Sequence, residues 1–165
     1  VLVSPHLKIS ASYEWERDIR LFNAFHGLNN QIHVFVILFN ATSGLQAALS
    51  QREYWRGGNK NEFTICLGLD DAQNVKWCKA FSWCDLPQME TALESWYLEH
   101  THLDFKGLTN WLEANVSTLW KRKEFKDFKY LGKKLTPWKS ALVGFLTLAA
   151  CALFIYIAYY LSTTQ

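Results

Sequence analysis

A chain of 165 residues, half of them hydrophobic and 16% aromatic, has ample material for a packed core, which excludes disorder. A net charge of +2 is too small to point to nucleic acid, and no nucleic-acid partner is expected. The charge is unevenly spread, because no Lys, Arg, Asp or Glu follows Lys139.

Residues 1–12 read as an N-terminal arm, extended or loosely packed. The globular domain is expected over 13–120. Trp15, Ile19, Phe22, Phe25 and Leu28 recur at helical spacing, which predicts a first helix over 13–28. Ile32–Phe39 is apolar almost throughout and suits a central strand covered on both faces. Thr42 and Ser43 can cap a helix from Gly44 to Trp55, and Arg56–Asn61 reads as a loop. Phe63–Leu69 and Val75–Trp83 predict a hairpin across Asp70-Asp71-Ala72-Gln73-Asn74. The second strand sets Val75, Trp77, Lys79, Phe81 and Trp83 against Lys76, Cys78, Ala80 and Ser82, with Lys79 spoiling a clean two-face pattern.

Asp85 and Pro87 mark the start of a helix running to Leu98, whose Glu90, Glu94 and Glu99 read as a solvated face. A last domain helix is expected over 105–119, with Leu108, Trp111, Leu112, Val116 and Leu119 inward. The order predicts an α/β (α+β) domain with a small three- to four-stranded sheet and flanking helices. Helices on both sides of the first strand permit a right-handed crossover to a parallel partner.

Residues 121–139 form a basic, aromatic collar. Lys121, Arg122, Lys123, Lys126, Lys129, Lys133, Lys134 and Lys139 face only Glu124 and Asp127, interleaved with Phe125, Phe128, Tyr130 and Trp138 and preceded by Trp120. Aromatic rings at headgroup depth with cations reaching phosphates are what a membrane-surface segment needs, so Lys121–Lys139 with Trp138 are candidate contacts to anionic lipid headgroups. Residues 140–162 then predict one transmembrane helix, followed by the tail 163–165. Its centre, Ala141–Leu161, carries 21 uncharged residues, with Tyr156, Tyr159 and Tyr160 gathered at one end. The positive-inside rule predicts a single-pass protein with its domain on the cytoplasmic side. The chain begins at Val1, and a signal peptide cleaved before it would reverse that orientation.

Few groupings suggest chemistry. Asp70 and Asp71, with Asp85, offer oxygen ligands to a hard divalent cation, although acids are also favoured in turns. Glu99-His100-Thr101-His102-Leu103-Asp104 contains metal-ligand types, but its spacing suits a polar helix end better. Arg56–Asn61 lacks the phosphate-loop spacing and leads into a strand. Cys78 and Cys84 allow a disulfide in an oxidising compartment. Two sequons, at Asn40 and Asn115, decide nothing.

The order of motifs resembles the TPM-domain family over residues 17–120. Ile32–Phe39 is similar to that family's first strand, Tyr54-Trp55-Arg56-Gly57-Gly58 to its Trp-x-Gly helix end, and Phe63–Leu69, Asp70-Asp71 and Val75–Phe81 to its hairpin; Asp85 falls near its next Asp. The chain departs from it where Ser82-Trp83-Cys84 replaces a glycine-rich stretch, and Lys76 or Lys79 stands for its basic residue. The resemblance implies either acid phosphatase activity or an assembly or auxiliary role beside a membrane complex. The leading expectation is a membrane-anchored accessory or assembly subunit of an integral membrane protein complex. The alternatives are a phosphatase-like hydrolase using a divalent cation at Asp70, Asp71 and Asp85, and an anionic-lipid-binding surface module.

Overall fold

A computed structural model describes residues 1–9, 11–56, 61–83, 87–124, 126 and 137–163. The chain forms two compact units, Val1–Phe125 and Lys126–Gln165. The first contains β1 (Leu2–Val3), α1 (Tyr13–Asn29), β2 (His33–Asn40), α2 (Gly44–Tyr54), β3 (Glu62–Leu69), β4 (Val75–Ser82), α3 (Gln88–Glu99) and α4 (Phe105–Leu119). The sheet order is β1-β2-β3-β4, with β1, β2 and β3 parallel and β4 antiparallel. The expected α/β architecture is present with four strands. Part of the N-terminal arm supplies the fourth: Leu2 and Val3 pair with Ile37 and Leu38, and Leu7 is buried.

Alternation along the strands divides the core in two. Val34, Val36 and Leu38 with Phe63, Ile65, Leu67 and Leu69 build a broad face under Ile19 and Phe22 of α1, Leu93 of α3, and Leu108 and Leu112 of α4. Ile37, Cys66 and Phe81 form the other face, where Ala48 of α2 is the buried helical contact. Since the strands follow in order while α1 and α2 cover opposite faces, the two parallel crossovers have opposite hand. One of them therefore departs from the usual right-handed connection.

Phe25 and Leu28 do not continue the inward stripe of α1. Each step of three residues falls about 60° short of a full turn, so Phe25 and Leu28 lie about 120° and 180° around the helix from buried Ile19, in solvent. Phe25 is 70% exposed and Leu28 is 84% exposed. In β4 the expected alternation breaks at one point. Leu69 pairs with Val75 while Gly68 pairs with Trp77, leaving Lys76 as the extra residue of a bulge. Val75 therefore joins the broad face, while Trp77 lies on the other beside Phe39. Gly68 is required there, because a Cβ would come within 2.0 Å of the Trp77 ring.

In the second unit, α5 (Pro137–Thr163) starts three residues before the expected span, so Trp138 and Lys139 belong to its first turn. Its stretch Pro137–Ile157 is 21 residues, long and apolar enough to cross a membrane. At 1.5 Å per residue this reaches roughly 30 Å, the thickness of the hydrocarbon layer. Thr147 satisfies its hydroxyl on the Val143 carbonyl at 2.9 Å.

Candidate functional site

The hairpin acids are organised by the turn they occupy. Asp70 Oδ1 accepts from the backbone N–H groups of Ala72 and Asn74 at 3.0 and 2.8 Å, and Asn74 Nδ2 donates to both carboxylate oxygens. Lys76 Nζ lies 3.0 Å from Oδ2. The hydrogen bonds from Asn74, chiefly, hold the Asp70 carboxyl well below the usual carboxylate range. Its oxygens thus serve as an Asx turn that fixes the hairpin. Asp71 is exposed, and Asp85 lies outside the described residues. Among the described residues, no three His, Cys, Asp or Glu side chains gather as a metal would require.

The other chemical candidates have structural employment as well. His100 caps α3, with Nδ1 2.9 Å from the Trp96 carbonyl and its ring stacked on Trp96. His102 pairs through its backbone with Asn74. Arg56 is exposed with positive φ, and positions 57–60 of its loop lie outside the described residues. Cys78 carries a free thiol, and Cys84 lies outside the described residues. Burial pushes the Cys66 thiol up to about 12 and raises that of Cys78 as well, so both stay protonated and weakly nucleophilic at neutral pH.

The feature with open binding capacity is the outer edge of β4. In an antiparallel pair, alternate residues direct their backbone N–H and C=O groups toward the partner strand or away from it. The Ala80 N–H points away and donates to Glu94 Oε1 at 3.1 Å. Ser82 behaves likewise, giving both its hydroxyl (2.9 Å) and its backbone N–H to Glu90. At the far end, the Val75 N–H donates to the Thr101 carbonyl at 2.6 Å. Helix α3 therefore runs along the edge as a substitute strand, its acceptors placed one helical turn apart.

The next position on that stripe is Leu98, which has no acceptor to offer. Cys78, facing outward by the same alternation as Ala80, is left without a described cap. A cleft of about 370 Å³ opens at this point, lined by Leu45, Trp77, Cys78, Thr91, Tyr97 and Leu98. Leu45 is 49% and Leu98 is 81% exposed. Tyr97, in the same lining, has a buried hydroxyl with no hydrogen-bond partner among the described residues. Reading Glu90, Glu94 and Glu99 as one solvated face missed this arrangement. Only Glu99 is exposed; Glu94 also binds Lys79 Nζ at 2.8 Å, the cation that interrupts the strand pattern. The sequence signal was the i, i+4 pair of acids opposite an edge strand with a central lysine.

The start of the collar is fixed to the domain. Trp120 is core: it is 7% exposed, meets Phe63 edge-on and donates Nε1–H to the Asn30 carbonyl at 3.0 Å. Arg122 donates to Gln31 Oε1, so its guanidinium is partly committed within the domain. Lys121 is exposed and Lys123 half-buried; Lys126 is exposed. In α5, Lys139 Nζ lies 5.8 Å from the centre of the exposed Trp138 ring. Lys129, Lys133 and Lys134, with Phe125, Phe128 and Tyr130, lie outside the described residues. No family model, curated protein or solved structure matches the chain.

Proposed function

We propose that this chain is an accessory or assembly subunit of an integral membrane protein complex. In this reading α5 crosses the bilayer once, and the basic collar keeps the domain on the cytoplasmic side. The domain receives an extended segment of its partner at the edge of β4. The observation that carries the reading is the Cys78 edge, which no described residue caps, set between the Glu94 and Thr101 caps and rimmed by exposed Leu45 and Leu98.

A backbone edge that no described residue pairs asks for another backbone, and the adjoining cleft, largely apolar with Lys76 and Glu94 at its border, asks for a side chain from the same segment. A short window between two capped stretches limits pairing to a few residues, which suits a specific partner and disfavours open-ended strand addition. This is the accessory branch of what the TPM resemblance implies. The hydrolase branch has less support, since the oxygens of Asp70 are taken by the hairpin itself.

The test is purification of the full chain in mild detergent with whatever accompanies it. A stoichiometric membrane protein should copurify with the wild type and be lost from Leu45→Asp and Leu98→Asp, which alter exposed side chains. It should stay with Asp70→Asn. Retention by both cleft variants would sink the proposed docking edge.

A further inference from the structure

We infer that the end of the domain holding Phe25 and Leu28 seats on an anionic bilayer surface, with these two side chains entering the headgroup region. The inference rests on the membrane anchoring proposed above, and its argument comes from the first unit alone. The N-terminal ends of β2 and β3 lie together, since the His33 N–H donates to the Asn61 carbonyl at 2.7 Å. Helices α1, α2 and α4 all finish at this end, and Trp120 packs on Phe63 there.

The chain leaves the domain from the same place. Trp120 is hydrogen-bonded to Asn30 and Arg122 to Gln31, so the path toward the apolar helix begins within a few residues of Leu28. Two large apolar side chains stand in solvent beside that exit, Phe25 at 70% and Leu28 at 84% exposure.

Charge is sorted in the same sense. Arg52, Arg56, Lys121, Arg122 and Lys123 belong to the exit end and outnumber its acids Glu53, Glu62 and Glu124, and Leu21–Gln31 contains neither Asp nor Glu. Asp70, Asp71, Glu99 and Asp104 belong to the opposite end, after β3 and around the start of α4, where they outnumber Lys76 and Lys106. A basic rim around exposed aromatic and aliphatic groups complements anionic headgroups over a hydrocarbon boundary. The same exposed pair on a chain without a basic exit would fit a protein partner equally well; the basic residues and the exit point select lipid.

The experiment uses the full chain in vesicles of phosphatidylcholine with and without phosphatidylserine, carrying a benzophenone side chain at position 25, 28 or, as a control at the opposite end, 98. Alkaline extraction first reports whether the chain is integral. Ultraviolet crosslinking should then give phospholipid adducts at 25 and 28 but not at 98. With Lys121→Glu and Lys123→Glu together, the adduct in serine-containing vesicles should fall by about fivefold or more. An integral chain whose positions 25 and 28 give no more lipid adduct than 98, or crosslink only to protein, would overturn the seating while leaving the anchor intact. An adduct indifferent to charge reversal and to phosphatidylserine would overturn it too. A chain removed by alkali would overturn the anchor, and the seating with it.

Discussion

The two faces of the sheet are finished by different means. Among the described residues, 22 buried side chains from strands, three helices and connecting segments interlock on the broad face, whereas the opposite face has four. Three helices cover the first; among the described residues the second is covered by α2, with one buried residue, Ala48, and by the 3-10 turn Ala41–Ser43. The broad face is held by volume, so many residues share its stability. The thin face is held by a few particular fits: Trp77 lying on Gly68, its indole N–H on the Ala41 carbonyl at 3.1 Å, and its ring beside Phe39. The light seating of α2 also leaves Leu45 exposed, and it is this residue that rims the cleft at β4.

The sharpest way to break the comparison is to remove similar chemistry from each face. Leu112→Ala, at a fully buried site of the broad face, should fall toward the upper end of about 2–5 kcal/mol, whereas Ile37→Ala on the thin face should fall toward its lower end. Urea unfolding of the full chain in detergent, followed by near-ultraviolet circular dichroism, measures both. Equal losses would mean that the thin face bears as much of the fold as the broad one.

Gly68→Ala tests the particular fit. With the Trp77 ring 2.0 Å from the added methyl, either the indole or the strand must move, at roughly 1–3 kcal/mol. Combining it with Trp77→Val should give less than the sum of the two losses, since the variants share one contact. Strict additivity would show that Trp77 does not depend on the glycine.

Much of this contrast was legible in the sequence, and the exceptions have physical causes. The apolar run of β2 announced a strand covered on both faces, and α4 kept its expected bounds because its apolar residues follow the helical period closely. The bulge at Lys76 was hidden, since an extra residue in a strand leaves no mark on composition but reverses which side chains share a face. Phe25 and Leu28 share the spacing that marks the helix, but a spacing of three drifts by about 60° at each step, so recurrence alone does not show that they leave the buried stripe. Leu2–Val3 is too short to show any alternation, and only its pairing with β2 makes it a strand. The β4 window was the least legible feature. It depends on which glutamates face an edge, a relation between two elements that neither shows alone.

The edge where the two faces meet offers the next test. Glu94→Leu removes the acceptor of the Ala80 N–H and strands Lys79, and should cost about 1–3 kcal/mol. Glu94→Gln keeps an oxygen for the amide and should lose less. If both substitutions cost the same, the ion pair with Lys79 matters and the backbone cap does not. Urea midpoints of the two variants against wild type decide it.

The smallest effect expected comes from pH, and it separates the Glu90 cap from the turn carboxylate. Burial, the largest cause, raises the Glu90 carboxyl above the ordinary range despite its bonds from Ser82. A raised native value favours folding fully only below the unfolded value of about 4, and that contribution is lost as pH rises through the native one. Glu90→Gln removes the buried charge while keeping an acceptor, so it should melt slightly above wild type at pH 7 and converge with it on acidification below about 4. Asp70 has the opposite sign. Its native value is depressed by Asn74 and Lys76, so its contribution is present at neutral pH and is lost as pH falls toward the native value. Asp70→Asn should therefore melt below wild type at pH 7, with the gap narrowing in acid. Thermal melts of the three proteins from pH 7 downward give two differences of opposite sign that both shrink. Were Glu90→Gln to melt lower at pH 7, the Glu90 charge would contribute more to the β4 edge through its bonds from Ser82 than its burial takes away.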